Sequence, residues 1–133
     1  MSEYDVFSQY DFYNEKVSIV VNCLVHMLSK DEININLFKR LIENGGVSGD
    51  IDWGIEEWNI YSEVDHGIKD KYEGYLFFIG EDEHGIDGKG ELQVILTKDE
   101  IRPYIKNIID WYSNIPNSNI QNFKKLAQKY NFY

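Results

Sequence analysis

Two strongly apolar runs, GYLFFIG at 74–80 and ELQVIL at 91–96, constrain the fold of this chain more than any other feature. Both are rich in the aromatic and branched residues that favour β-strands. The ten-residue connector between them, EDEHGIDGKG, permits antiparallel pairing, although it is longer than a tight hairpin turn. Because GYLFFIG shows no polar alternation, it is predicted to be a central strand that is covered on both faces.

The residues before these strands predict a helical hairpin and one further strand. Residues 15–29 carry an apolar stripe at helical spacing, and 34–43 show a second one. The Asn44-Gly45-Gly46 sequence should end the second helix, since glycine adopts the left-handed conformation at low cost. Residues 57–64, EWNIYSEV, have strand character and are expected to join the sheet.

The residues after the strands predict two C-terminal helices. The sequence Thr97-Lys98-Asp99-Glu100 has the form of a capping box, so a helix should follow to about Ser113. Pro103 fits this helix only if the helix begins near Arg102 and the proline lies in its first turn. Ser118 is expected to cap the last helix.

Together these segments predict one α+β domain over residues 1–133. We expect an N-terminal helical hairpin, a small antiparallel sheet of about three strands and two C-terminal helices. The single cysteine, Cys23, excludes an internal disulfide and fits a reducing compartment. The N-terminus lacks the basic segment of a secretory signal, and the apolar run at 17–28 is short for a membrane span. We therefore expect a cytoplasmic protein that does not contact a membrane.

The negative charge of the chain is concentrated in its middle third. Residues 43–91 contain fourteen acidic residues and only three lysines, a charge of −11, whereas the whole chain carries −10. Direct binding to nucleic acid requires a basic surface, so this distribution argues against it. It favours a basic macromolecular partner, or else a face that only keeps the protein in solution.

A calcium loop of the EF-hand type does not fit the acidic connector. If Asp87 and Gly90 take the third and sixth loop positions, the first, fifth and twelfth fall on Gly85, Lys89 and Leu96. Three required ligands, including the bidentate glutamate, are then missing.

Other chemistry at the connector depends on His84. A metal site would have to combine it with Asp82, Asp87 or the distant His66 and Asp65, without a motif that brings two strong ligands together. A small hydrolase could use His84 with a carboxylate as a general acid–base pair. No nucleophile motif or phosphate-binding glycine loop accompanies it, so we expect neither enzymatic activity nor a cofactor.

Several segments resemble CdiI-type immunity proteins, which neutralise ribonuclease toxins of bacterial contact-dependent growth inhibition systems. The resemblance covers roughly residues 35–117 and is carried by LFKRLIENGG (37–46), KYEGYLFFIGEDE (71–83) and YSNIPN (112–117). The Asn44-Gly45-Gly46 helix end is also similar to a broad immunity superfamily related to a yeast cell-wall-assembly regulator. Both resemblances imply that residues 1–133 form a single immunity domain.

The first resemblance implies a 1:1 complex with the C-terminal domain of a cognate ribonuclease toxin. Carboxylates of the chain would meet the basic residues that normally face RNA, either in the active site or at an adjacent exosite. An acidic interaction module, or a mimic of nucleic acid outside toxin systems, is the alternative. From charge and loop position alone we predict these toxin-binding residues: Glu81, Asp82, Glu83 and Asp87, then Asp65 and Asp70, with Trp53 as an aromatic anchor.

Overall fold

A computed structural model describes residues 3–29, 31–49 and 52–133, apart from the side chains of Glu3 and Tyr4. The described chain begins with a 3-10 helix, Glu3–Phe7. The α-helices are Glu15–Val25 (α1), Ile35–Asn44 (α2), Ser62–His66 (α3), Glu81–His84 (α4), Lys98–Tyr112 (α5) and Ile120–Lys129 (α6). The strands are Gly46–Ser48 (β1), Trp53–Glu56 (β2), Tyr75–Ile79 (β3) and Leu92–Leu96 (β4). The fold is therefore α+β, as predicted.

The four strands form one antiparallel sheet in the order β1-β2-β3-β4. Strand β3 pairs with both β2 and β4, which confirms that GYLFFIG supplies a central strand. Tyr75, Phe77 and Ile79 alternate with Leu76 and Phe78 along β3, and Leu76 is fully buried although it faces away from the main core. Both faces of β3 are thus covered, which explains its lack of polar residues.

One strand was placed wrongly from the sequence. Residues 57–64 do not join the sheet; β2 ends at Glu56, and the chain then forms a turn and the short helix α3. Asn59 favours this turn because its Oδ1 accepts the Tyr61 N–H at 2.8 Å and its own N–H donates to Ser62 Oγ at 3.0 Å. The apolar Ile60 that suggested a strand is 76% exposed.

The main core lies between one face of the sheet and the larger helices. Helix α1 packs on β3 and β4, α2 packs on β1, and α5 contacts both α6 and the 3-10 helix. Phe38 of α2 meets Phe123 of α6 edge to face, with ring centroids 4.6 Å apart. The same helices are further joined by Asn119, whose amide exchanges two hydrogen bonds with the backbone of Ile33, at 2.8 and 2.7 Å.

The helix ends agree with the sequence where the signal is local. Gly45 ends α2 with φ 81°, and Thr97 and Glu100 form the predicted capping box of α5. The proposed shift of that helix to Arg102 is wrong, because α5 begins at Lys98 and continues through the exposed Pro103. Ser118 is not the cap of α6 either; the helix follows Asn119. Helix α1 also ends earlier than predicted, at Val25.

Candidate protein-interaction surface

The connector between β3 and β4, residues 81–90, is here called the acidic loop. It begins with α4, which Gly85 ends with φ 72°. The Gly88 N–H donates to Glu81 Oε1 at 2.8 Å, so an acidic side chain closes the loop on itself. Asp52, directly before β2, holds the N-terminal end of the loop, because Asp52 Oδ2 accepts the Asp82 N–H at 2.9 Å. These contacts tie the loop to itself and to the residue before β2.

His84 lies at the centre of this loop and serves its internal structure. Its Nδ1 accepts the Ile86 N–H at 3.0 Å, and its Nε2 donates to the Gly90 carbonyl at 2.6 Å. Both ring nitrogens are therefore engaged by the loop backbone. A general base needs a nitrogen free to take the substrate's proton, and His84 does not offer one in this arrangement.

Glu83 and Trp53 are turned toward the protein rather than toward solvent. Glu83 Oε1 lies 2.5 Å from His26 Nε2, and the His26 ring stacks on Trp53 at 4.8 Å with an interplanar angle of 9°. Trp53 is only 7% exposed and belongs to the main core. Trp53 was predicted to be a surface anchor, and this prediction is wrong because the ring is buried beneath the exposed His26.

Three of the predicted carboxylates remain exposed on the acidic loop: Glu81, Asp82 and Asp87. Glu81 keeps one oxygen for Gly88. The side chains of Asp82 and Asp87 have no hydrogen-bond or ion-pair partner within the described residues. These groups can meet cations of another molecule without breaking a contact in this one.

Asp65 and Asp70 are also exposed, but they lie outside the loop. Asp65 is on α3, near Glu56. The pKa of the Glu56 carboxyl is raised, first by its burial and to a lesser degree by the negative charge of Asp65. Asp70 lies in the connection to β3, and no contact of the described residues ties it to the acidic loop.

His66 joins α3 to the sheet next to the acidic loop, a contact the sequence did not predict. Its Nε2 lies 3.0 Å from Glu56 Oε1 and its Nδ1 lies 2.7 Å from Glu91 Oε1, while the side chain is only 8% exposed. The ring also covers Phe78, with centroids 4.2 Å apart. Glu91 directly follows the acidic loop, so this cluster places α3 beside the loop's C-terminal end.

A groove of about 450 Å³ separates the acidic loop from α1 and the residues before it. Phe12, Tyr13 and Ile86 line it and are exposed, and Lys89 crosses to Glu15 with an Nζ–Oε2 distance of 3.5 Å. Asn22 also lines the groove, and its buried Oδ1 has no donor among the described residues. The groove therefore combines apolar contact area with one unsatisfied buried acceptor.

Over the described ranges, no group of three histidine, cysteine or acidic side chains is arranged to hold a metal ion. None of the helices described is long and apolar enough to cross a membrane. No protein-family model matches the chain, and no curated protein or solved structure is significantly similar to it.

Proposed function

We propose that this chain is a cytoplasmic immunity protein that binds a ribonuclease toxin domain 1:1 and keeps RNA from its basic site. The observation that carries the proposal is the acidic loop: Glu81, Asp82 and Asp87 are exposed on a backbone fixed by its own hydrogen bonds. In this role the chain acts by binding alone and performs no catalytic step.

Charge complementarity supplies the physical basis. A ribonuclease must present basic side chains to the phosphates of its substrate. Carboxylates set in one rigid loop can occupy the same positions, and little conformational entropy is lost when a preformed loop binds. A surface of one sign also speeds association by about 10–10³-fold, which suits an inhibitor that must capture a lethal enzyme early.

The first test is co-expression with the C-terminal domain of a secreted toxin encoded immediately upstream of this chain's gene. We expect the cells to survive, and the purified proteins to form a 1:1 complex that no longer cleaves RNA. Cell death together with the absence of a complex would show that the chain is not the immunity protein of that toxin.

The second test removes the three exposed charges of the acidic loop in the variant Glu81→Gln, Asp82→Asn, Asp87→Asn. Glutamine keeps the oxygen that accepts the Gly88 N–H, so the loop should hold its conformation. We expect association with the toxin domain to slow by about 10-fold, measured by stopped-flow fluorescence.

A matched control removes three negative charges outside the acidic loop, in the variant Asp31→Asn, Glu43→Gln, Glu73→Gln. These three acids are exposed and have no side-chain partner in the described part of the chain. This variant should associate within about twofold of the wild-type rate, since its charges are not at the interface. Equal slowing in both variants would mean that only net charge matters and that the acidic loop has no special role.

A further inference from the structure

Helix α3 and the turn before it expose three apolar side chains, which we call the α3 patch: Ile60, Tyr61 and Val64. Their exposed fractions are 76%, 62% and 83%. Single exposed apolar residues are common on protein surfaces, but here Ile60 and Tyr61 of the turn precede Val64 of α3 by four and three residues, the spacing of neighbours on a helix face. A cluster of this kind is typical of a contact surface.

The α3 patch lies on a rigid support. Ser62 between its members is completely buried, and its Oγ accepts the Asn59 N–H at 3.0 Å. Gly67 ends the helix in the left-handed conformation, with its N–H donating to Glu63 O at 2.8 Å. His66, held between Glu56 and Glu91, fixes the helix to the sheet. Because the support is fixed, the apolar side chains lose little freedom on binding.

The charges around the α3 patch define the kind of partner it fits. Glu57, Glu63 and Asp65 are exposed beside it, and the sequence has no lysine or arginine between Arg40 and Lys69. Two copies of this surface would repel each other because both are negatively charged. The surface would repel a phosphate-bearing molecule for the same reason. A protein with an apolar pocket rimmed by basic side chains complements both the apolar groups and the carboxylates.

The size of a protein interface requires contact beyond the acidic loop. A stable complex buries roughly 800 Å² on each partner, supplied by about 20–30 residues. The acidic loop has only ten residues, of which Glu83 and His84 are engaged internally. The His66–Glu91 contact places the α3 patch beside the loop, so the two surfaces can be covered by one partner.

We propose that the α3 patch is the apolar anchor of the toxin interface, with the acidic loop as its electrostatic part. This inference rests on the proposed function. The patch inserts into an apolar pocket at the rim of the toxin's basic site, and its flanking carboxylates pair with the bases around that pocket. Binding strength then comes mainly from α3, and association speed from the loop.

The test is the variant Ile60→Ser, Val64→Ser, measured against the same toxin domain by titration calorimetry. Both side chains are exposed, so the urea midpoint of the free chain should stay unchanged. We expect Kd to rise about 100-fold, or about 10-fold for each apolar group lost. Because the lost contact is uncharged, the variant should keep the salt dependence of the wild type.

A matched pair of tyrosines provides the control. Tyr61→Ser removes an exposed ring from the α3 patch, while Tyr133→Ser removes one of 44% exposure from the end of the chain. Only Tyr61→Ser should weaken binding, by about 10-fold or more.

The outcomes separate this inference from the proposed function. A wild-type chain that does not bind the toxin domain overturns the proposed function and the partner assigned to the α3 patch. Wild-type binding with an Ile60→Ser, Val64→Ser variant that binds within twofold overturns the patch alone. Sedimentation velocity measures whether the free wild-type chain associates with itself. If it does, and if the Ile60→Ser, Val64→Ser variant does not, the α3 patch binds a second copy of the chain instead.

Discussion

Cys23 shows how strongly the interior of this protein acts on a single titratable group. Its Sγ lies 3.6 Å from Gly54 O and 3.5 Å from Phe78 O, beneath two strands of the sheet. Burial raises the pKa of the thiol to about 12, because the thiolate would lose its hydration there. The thiol is therefore a packing group, and the protein holds it protonated.

This pKa predicts a loss of stability in alkaline solution. A thiol with a raised folded-state pKa contributes its full stabilisation below the ordinary value of 9 and loses it as the pH rises toward 12. Between pH 8 and pH 10 the wild type should lose about 1 kcal/mol more unfolding free energy than Cys23→Ser, whose hydroxyl does not titrate. Urea titrations at the two pH values measure this difference, and parallel losses in both proteins would contradict it. The buried tyrosines are common to both proteins and cancel.

Gly74 lies at a position where only glycine fits, because of its backbone conformation and because of the atoms packed against it. Its φ is +89°, and an added Cβ would lie 2.1 Å from the Leu96 carbonyl oxygen. Gly67 has a similar φ of +72° but open space around it.

We therefore predict that Gly67→Ala costs about 1–2 kcal/mol from the backbone conformation alone. Gly74→Ala should cost at least about 2 kcal/mol more, because the strand ends must also move apart. Urea midpoints of the two variants test this ranking, which would fail if both substitutions cost the same.

Among the elements, α5 depends on its capping box. Thr97 Oγ1 accepts the Glu100 N–H at 3.3 Å, and Glu100 Oε1 accepts the Thr97 N–H at 3.0 Å. Thr97→Ala should lower the unfolding free energy by about 1 kcal/mol with an unchanged denaturant slope, whereas Thr97→Ser should restore most of it. If serine fails to restore stability, the methyl group of Thr97 matters rather than the cap.

The sequence predicts those elements whose signals are local. The Thr97 cap, the Gly45 helix end and the apolar β3 run each concern adjacent residues, and each was recognised correctly. The strand assigned to 57–64 was wrong because the apolar Ile60 was taken to be buried, although the same residues also fit the face of a short helix. Exposure depends on the rest of the fold, so a short apolar pattern cannot decide it.

The candidate surface was predictable only in part, for a related reason. The exposure of Glu81, Asp82 and Asp87 follows from their place in a polar connector. The pairing of Glu83 with His26 joins residues 57 positions apart, and that of His66 with Glu91 joins residues 25 apart. Such contacts arise from the order of the strands and the packing of α1 and α3, which spacing in the sequence does not reveal.

For the whole molecule, the net charge of −10 predicts how association with a basic toxin domain responds to salt. Since screening shortens the range of the field, the association rate should fall by about tenfold or more between 0.01 M and 0.15 M ionic strength. The dissociation rate should change less than the association rate, because the contact that holds the complex together is proposed to come mainly from the apolar α3 patch. Stopped-flow mixing over a salt series measures both rates, and a flat association rate would remove electrostatic steering from the mechanism.

The strand order has a consequence for synthesis. Each strand of the sheet pairs with the next one along the chain, so β1 and β2 can pair as soon as Glu56 has left the ribosome. Such short-range pairing closes small loops and costs little chain entropy. The frame that carries the acidic loop can therefore form once β4 has emerged, while α5 and α6 are still inside the ribosome. Completion of the fold then waits for these two helices to emerge and pack on β4 and α2.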